Sequence, residues 1–161
     1  GVFNRLRAAY LVLRSPFRRE SYLEQLGDAA PSGGEAHAES AEEAEKELAQ
    51  GEAHLAEGRY EKAAWHFRRA VEGDERSATA HARLGWALHK DSPTDHVATR
   101  EAHRLLERSL QLDPELDVAH QYLGHLHLAA DDADQARHHF QKALRTNPDN
   151  ADAAEQLKTL G

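Results

Sequence analysis

Apolar positions recur along this chain with a helical period, and they are best formed between Asp117 and Pro148. There Leu123, Phe140 and Ala143 form an apolar stripe, and Gly124 and Ala136 stand twelve residues apart. The spacing predicts two antiparallel helices, here helix A and helix B, crossing where Gly124 and Ala136 leave room for close backbones. Pro148 ends helix B, because proline lacks an amide hydrogen and its ring clashes with the preceding turn. One hairpin cannot cover its own stripe, so it requires neighbours.

Two further units stand upstream. Gly51, Tyr60, Ala63, Phe67 and Ala70 keep the same twelve-residue Gly-to-Ala spacing, with Gly58 and Arg59 as the turn. His81, Leu84, Gly85 and Leu88 open the next, and Gly51 to Gly85 is 34 residues. Gly85 to Gly124 is 39, and the second half of that unit re-registers on Ala102, Leu106, Ser109 and Pro114. The five extra residues are therefore expected in the turn near Lys90–Thr99, where Asp91-Ser92-Pro93-Thr94-Asp95 suits a loop. After Pro148, Asp149 or Asn150 caps a last helix, Ala151–Leu160, whose Ala154 and Leu157 are apolar and whose other positions are largely polar. Such a helix shields the final apolar face.

The motif His120-x-x-Leu123-Gly124-x-x-His127, then Ala136-x-x-x-Phe140, Ala143 and Pro148, resembles the tetratricopeptide repeat, a 34-residue unit of two antiparallel helices. The resemblance implies an all-α fold: a right-handed superhelix of three repeats (about 44–76, 78–115 and 117–149) and a capping helix (150–160), together forming a domain over 41–161. The family binds ligand peptides in a concave groove lined by helix A. The implied lining is Glu45, Leu48, Glu52, Leu55 and Ala56; then Thr79, Ala82, Trp86, His89 and Lys90; then Val118, Gln121, His125, Leu128 and Ala129. Trp86 is either a binding anchor in that groove or a packing residue against the end of the N-terminal segment or a neighbouring helix; the sequence leaves both open. One subfamily clamps acidic chaperone tails with basic and amide residues. The corresponding places here hold Leu48, Glu52, Arg83, Val118 and Tyr122, so the clamp is absent, and Glu45 and Glu52 favour a partner with apolar and basic residues.

Ahead of the repeats, Phe3, Leu6, Tyr10 and Leu13 share one helical face, and Ser15-Pro16 starts a shorter helix carrying Arg19, Tyr22, Leu23 and Leu26 before Gly27. Residues 1–27 resemble the last two helices of a J-domain, the module with which DnaJ-like co-chaperones engage their seventy-kilodalton heat-shock partner. The His-Pro-Asp tripeptide that the family needs to stimulate the chaperone would precede Gly1. A plain helical hairpin, or an arginine-rich helix on an anionic membrane, are the other readings. Residues 28–40, with Pro31, Gly33 and Gly34, read as a flexible linker, and Ser40 with Glu43 as a capping box for a helix from Ala41.

Composition narrows the function. The net charge is −8; five arginines against Glu20 and Glu24 give residues 1–27 a charge of +3, leaving −11 for the rest. An acidic body of this kind argues against nucleic acid as a partner. No apolar run is long enough to cross a bilayer, so a soluble chain is expected; a cytoplasmic location is a separate expectation. There is no cysteine, which removes disulfides and thiolate ligands. None of the twelve histidines lies three or four residues from another, the spacing that lets two imidazoles on one helix share a metal. His54, His81, His120 and His127 read as packing residues. No phosphate loop or nucleophile constellation is present, so neither catalysis nor a cofactor is expected.

The reading is a protein-interaction scaffold, the partner-binding part of a J-domain co-chaperone, with self-association through the N-terminal helices as a further contact. The alternatives are a plain scaffold in a bacterial assembly, and a histidine-based metal-responsive regulator.

Overall fold

The computed structural model describes the backbone of residues 36–161 and the side chains from residue 41 onward. The J-domain-like segment 1–27 and linker residues 28–35 lie outside the described residues. The chain divides between Glu75 and Arg76 into two compact units.

The first unit holds α1 (Ala36–Ala56) and α2 (Tyr60–Gly73). The helix begins ahead of the expected start at Ala41 and runs through Ser40, so Ser40 is not its cap. Alanine at 36, 38 and 41 carries high helix propensity, which extends the helix past the capping-box signal. Gly58 makes the turn with φ +72°, a left-handed conformation that glycine adopts without a Cβ clash. Ala63, Ala64, Phe67 and Ala70 of α2 are buried against α1. A Cβ on Gly51 would lie 2.5 Å from the Phe67 ring, so this glycine makes room for the aromatic.

The second unit holds α3 (Ala78–Asp91), α4 (His96–Leu112), α5 (Asp117–Ala129), α6 (Ala133–Thr146) and α7 (Ala151–Thr159). α3 pairs with α4, α5 with α6, and α7 packs on α6. Side chains cap four of these helices: Ser77 accepts from the Ala80 amide, Asp95 from Val97, Asp132 from Gln135 and Asn150 from Ala153. The expected alternative cap, Asp149, is one residue too early.

The five additional residues of the second hairpin are not confined to a loop. Compared with the third hairpin, α3 is one residue longer, the turn one longer, and α4 three longer, at 17 residues against 14 for α6. Asp95, at the end of the expected loop, is the N-cap of that lengthened helix. Ala98 in its first turn is 2% exposed, which gives the extension an apolar contact.

The core of the second unit has two centres. Ala82, Ala102, Leu106, Ala119, Tyr122, Leu123 and Leu126 form one, and Ala136, Phe140, Ala143 and Ala153 the other. The buried Ser109 donates its hydroxyl to the Ala78 carbonyl at 2.8 Å, so the polar group is satisfied. The all-α expectation, with helix hairpins and a terminal covering helix, is what the described residues form.

Candidate partner-binding surface

In the second unit the first helices of successive hairpins, α3 and α5, lie side by side, and their facing residues make an aromatic and polar ladder. Trp86 stacks on Tyr122 with ring centroids 4.6 Å apart. His125 lies 5.3 Å from the indole, His89 lies 5.8 Å away, and the Lys90 ammonium sits 5.4 Å from its centroid. Arg83 donates from Nη1 to the Tyr122 hydroxyl. Trp86 is half-buried and Lys90 exposed, whereas Tyr122 is buried. The indole is thus held by its neighbours while part of it faces solvent.

Below the stack the ladder continues to α7. Asp152 accepts from Gln121 Nε2 at 2.9 Å and from His125 Nε2 at 2.7 Å. Asn150 Nδ2 donates to the Gln121 carbonyl oxygen at 2.9 Å, and Asn147 donates to Asp117 at 2.7 Å. These bonds fix the rotamers of Gln121 and His125, two of the expected groove residues.

Other expected positions are placed differently. Ala82 is fully buried in the core, and His89 is only 6% exposed with no hydrogen-bond partner at Nδ1, so neither offers a polar contact at the surface. Burial, followed by the positive charge of Lys90 and by His125, pushes the His89 value below the usual imidazole range and keeps it neutral. Val118 packs against the first core centre and Leu128 against the second, both half-buried. Thr79 is half-buried and Ala129 exposed. In the first unit Glu45, Glu52 and Ala56 are exposed, while Leu48 and Leu55 are half-buried.

Two participants were missed by the sequence reading. Tyr122 was considered only as a clamp position, yet it carries the stack. Asp152 occupies the same helical position as Thr79 and Val118, one 34-residue period beyond Val118; extending the groove rule into the capping helix finds it. The adjacent acids Asp131 and Asp132 divide their roles: Asp132 caps α6, and Asp131 turns the chain with φ +58°. Among the described residues no group of three or more histidines or acids is arranged to hold a metal ion, and no helix is long and apolar enough to cross a membrane.

Residues 98–160 match the tetratricopeptide repeat family model. The fold is a tetratricopeptide array. Solved structures with the same fold include the Arabidopsis OM64 TPR domain, at 19% identity and TM-score 0.66, covering 75% of this chain and 96% of that one. The first TPR of Spaghetti (RPAP3), bound to the HSP90 peptide SRMEEVD, matches at 15% identity and TM-score 0.66, covering 74% of this chain and 94% of that one. The second TPR domain of human RPAP3, in complex with the HSP70 peptide SGPTIEEVD, matches at 21% identity and TM-score 0.61, covering 77% and 97%. No curated protein matches the sequence. In tetratricopeptide terms, the Trp86 ladder joins the first helices of the second and third repeats to the covering helix.

Proposed function

We propose that this chain is a non-catalytic scaffold that binds a peptide or helix of another protein along the first-helix face of its repeats, with Trp86 as the anchor. The observation that carries this reading is the indole itself. It is stacked on Tyr122, flanked by His125 and Lys90, and still partly exposed. A rigid aromatic fixed in advance loses little conformational entropy on binding, which is why such residues anchor interfaces.

The ligand differs in chemistry from the acidic chaperone peptides bound by the RPAP3 domains. The places where related domains carry a two-carboxylate clamp hold Leu48, Glu52, Arg83, Val118 and Tyr122. Arg83, the one basic residue among them, is directed at the Tyr122 hydroxyl. Glu45 and Glu52 are exposed on α1 and repel carboxylates. A segment with apolar and basic residues suits this chain better.

The resemblance of residues 3–22 to the end of a J-domain supports a more specific role, in which the array delivers a client or assembly partner to the cytoplasmic heat-shock machinery. Contacts between copies through residues 1–27 are part of the same proposal.

Calorimetric titration of the whole chain with two probes tests the binding mode: the SRMEEVD peptide, and a lysine-rich amphipathic helical peptide. The basic peptide is expected to bind roughly tenfold or more tightly than SRMEEVD, a difference of about 1.4 kcal/mol, and Trp86→Ala to weaken it. Preferential binding of SRMEEVD, or unchanged affinity in a folded Trp86→Ala variant, overturns the reading. The co-chaperone role is tested separately by sequencing the gene upstream of Gly1 for a His-Pro-Asp codon run within one J-domain's length. Its absence removes that role and leaves the binding face untouched.

A further inference from the structure

The three hairpins carry different residues at one shared pair of positions. The residue four before the first-helix glycine (Gly51, Gly85 or Gly124) and the residue just before the central core side chain of the second helix are Glu47 and His66, then His81 and Leu105, then His120 and His139. In the first hairpin His66 Nδ1 lies 2.7 Å from the Glu47 carboxylate. In the second, His81 Nδ1 instead lies 2.9 Å from the Ser77 carbonyl. In the third, two imidazoles meet, Nδ1 to Nδ1, at 3.1 Å.

The bonding around that third pair defines its tautomers. His120 Nε2 lies 3.1 Å from the Pro114 carbonyl, which can only accept, so His120 carries its proton on Nε2. Its Nδ1 is then a lone pair, and His139 must donate to it from Nδ1. The pair is therefore bonded in one neutral arrangement. A proton added to His120 Nδ1 sets two N–H groups against each other. A proton added to His139 Nε2 preserves the bond but places a cation in a ring stacked on His127, with centroids 5.3 Å apart and planes 10° from parallel.

The groups around the pair give a charged His139 little relief. From α4, His103 and Glu107 approach, and Glu107 lies 3.4 Å from His103. From α5 come His120 and His127, with Asp132 at 3.8 Å from His127. From α6 itself, His138, Lys142 and Arg145 add positive charge. Both carboxylates thus sit against outlying histidines and not against the pair. A cleft of about 420 Å³, lined by His103, Glu107, Leu110, Gln111, Leu123 and His139, gives protons a route to His139.

We propose that the His120–His139 pair is an acid-sensitive latch, which holds α6 against α5 while neutral and releases it when protons are taken up. The same histidine-to-histidine hydrogen bond is absent from the other two hairpins, so the response is expected to be steepest in the third repeat.

The direction of the proton linkage agrees. Burial, then His120, His127, His138 and Lys142, holds His139 down from the ordinary 6.5 to about 4. Burial lowers His120 too, partly offset by its bond to Pro114, with Lys142, His138 and Arg145 lowering it further. Burial and His103 lower His127 against the pull of Asp132. Groups shifted down in the folded state bind protons on opening, so the closed hairpin is favoured fully above pH 6.5 and loses that advantage as pH falls toward about 4.

Hydrogen–deuterium exchange of the whole chain between pH 7.5 and 5.0, corrected for intrinsic rates, tests the latch. The opening constant of α6 peptides is expected to rise by up to roughly tenfold per pH unit for each proton taken up below the ordinary imidazole value, while α2 peptides follow less steeply. His139→Leu, which copies Leu105 of the second hairpin, flattens the α6 response; His138→Leu at the exposed neighbour leaves it in place. Should His139→Leu fail to fold, nitrogen-15 imidazole spectra of the unmodified chain at pH 7.5 decide the matter, with His120 expected as the Nε2–H form and His139 as the Nδ1–H form. An α6 response equal to that of α2, an unchanged response in folded His139→Leu, or the opposite tautomers overturns the proposal.

Discussion

Trp86 lies flat on Tyr122, the ring planes 1° apart and the centroids separated by 4.6 Å. The stack spans two hairpins of the second unit, so Trp86 stabilises the fold as well as presenting a surface. Trp86→Ala removes a half-buried indole and an aromatic pair. A fully buried tryptophan costs about 3–5 kcal/mol on truncation, and partial exposure brings the expected loss to about 2 kcal/mol. Urea denaturation checks this, and Trp86→Phe, which retains a stacking ring, is expected to lose less than about 1 kcal/mol. Equal stability of Trp86→Ala and the unmodified chain would show that the stack contributes nothing.

Gly124→Ala sets helix propensity against packing. Alanine is favoured over glycine within a helix by about 1 kcal/mol. The added Cβ, however, would lie 2.6–2.8 Å from three atoms of the Phe140 ring, and that ring is fully buried and has nowhere to turn. Overpacking costs about 1–3 kcal/mol, so the net effect is expected to be a loss of about 1 kcal/mol. Coupling to Phe140→Leu in a double-mutant cycle identifies the cause, since the pair of changes should cost less than their sum. A gain in stability from Gly124→Ala alone would refute the steric account.

Asp131 offers a change of opposite sign. It turns between α5 and α6 with φ +58°, in the place where the first hairpin has Gly58 at φ +72°. A side chain in that region is strained by about 1–2 kcal/mol, somewhat less for aspartate, while glycine gives back part of the gain through chain entropy. Asp131→Gly is expected to raise stability by about 0.5 kcal/mol, read as a higher urea midpoint with an unchanged slope.

The repeat architecture was legible because close packing leaves few choices at particular places. Gly51, Gly85 and Gly124 stand where a Cβ would collide with Phe67, the Ala102 carbonyl and Phe140 respectively, and that need imprints a period on the chain. The destination of the five extra residues was not legible. A polar run such as Asp91–Asp95 serves equally as a loop or as the approach to an N-cap, and only the burial of Ala98 separates the two. The early start at Ala36 was hidden by a capping box that local sequence permits and the helix does not use. At the candidate surface, the helix A rule named Trp86, Gln121 and His125 as expected groove positions but could not foresee that the indole is stacked, because Tyr122 belongs to the next repeat. The histidine pair escaped a search along single helices for the same reason: His120 and His139 are neighbours only across a hairpin.

Repeat chains risk folding in the wrong order, with a first helix closing on the second helix of another unit. The unequal hairpins described above work against this. A 17-residue α4 does not match the length of its 14-residue counterparts α2 and α6. At the shared pair, Glu47 with His66 also sets the first hairpin apart from the other two, whose first helices both carry histidine there. Small differences among otherwise interchangeable units thus act as addresses, telling each segment which partner is its own.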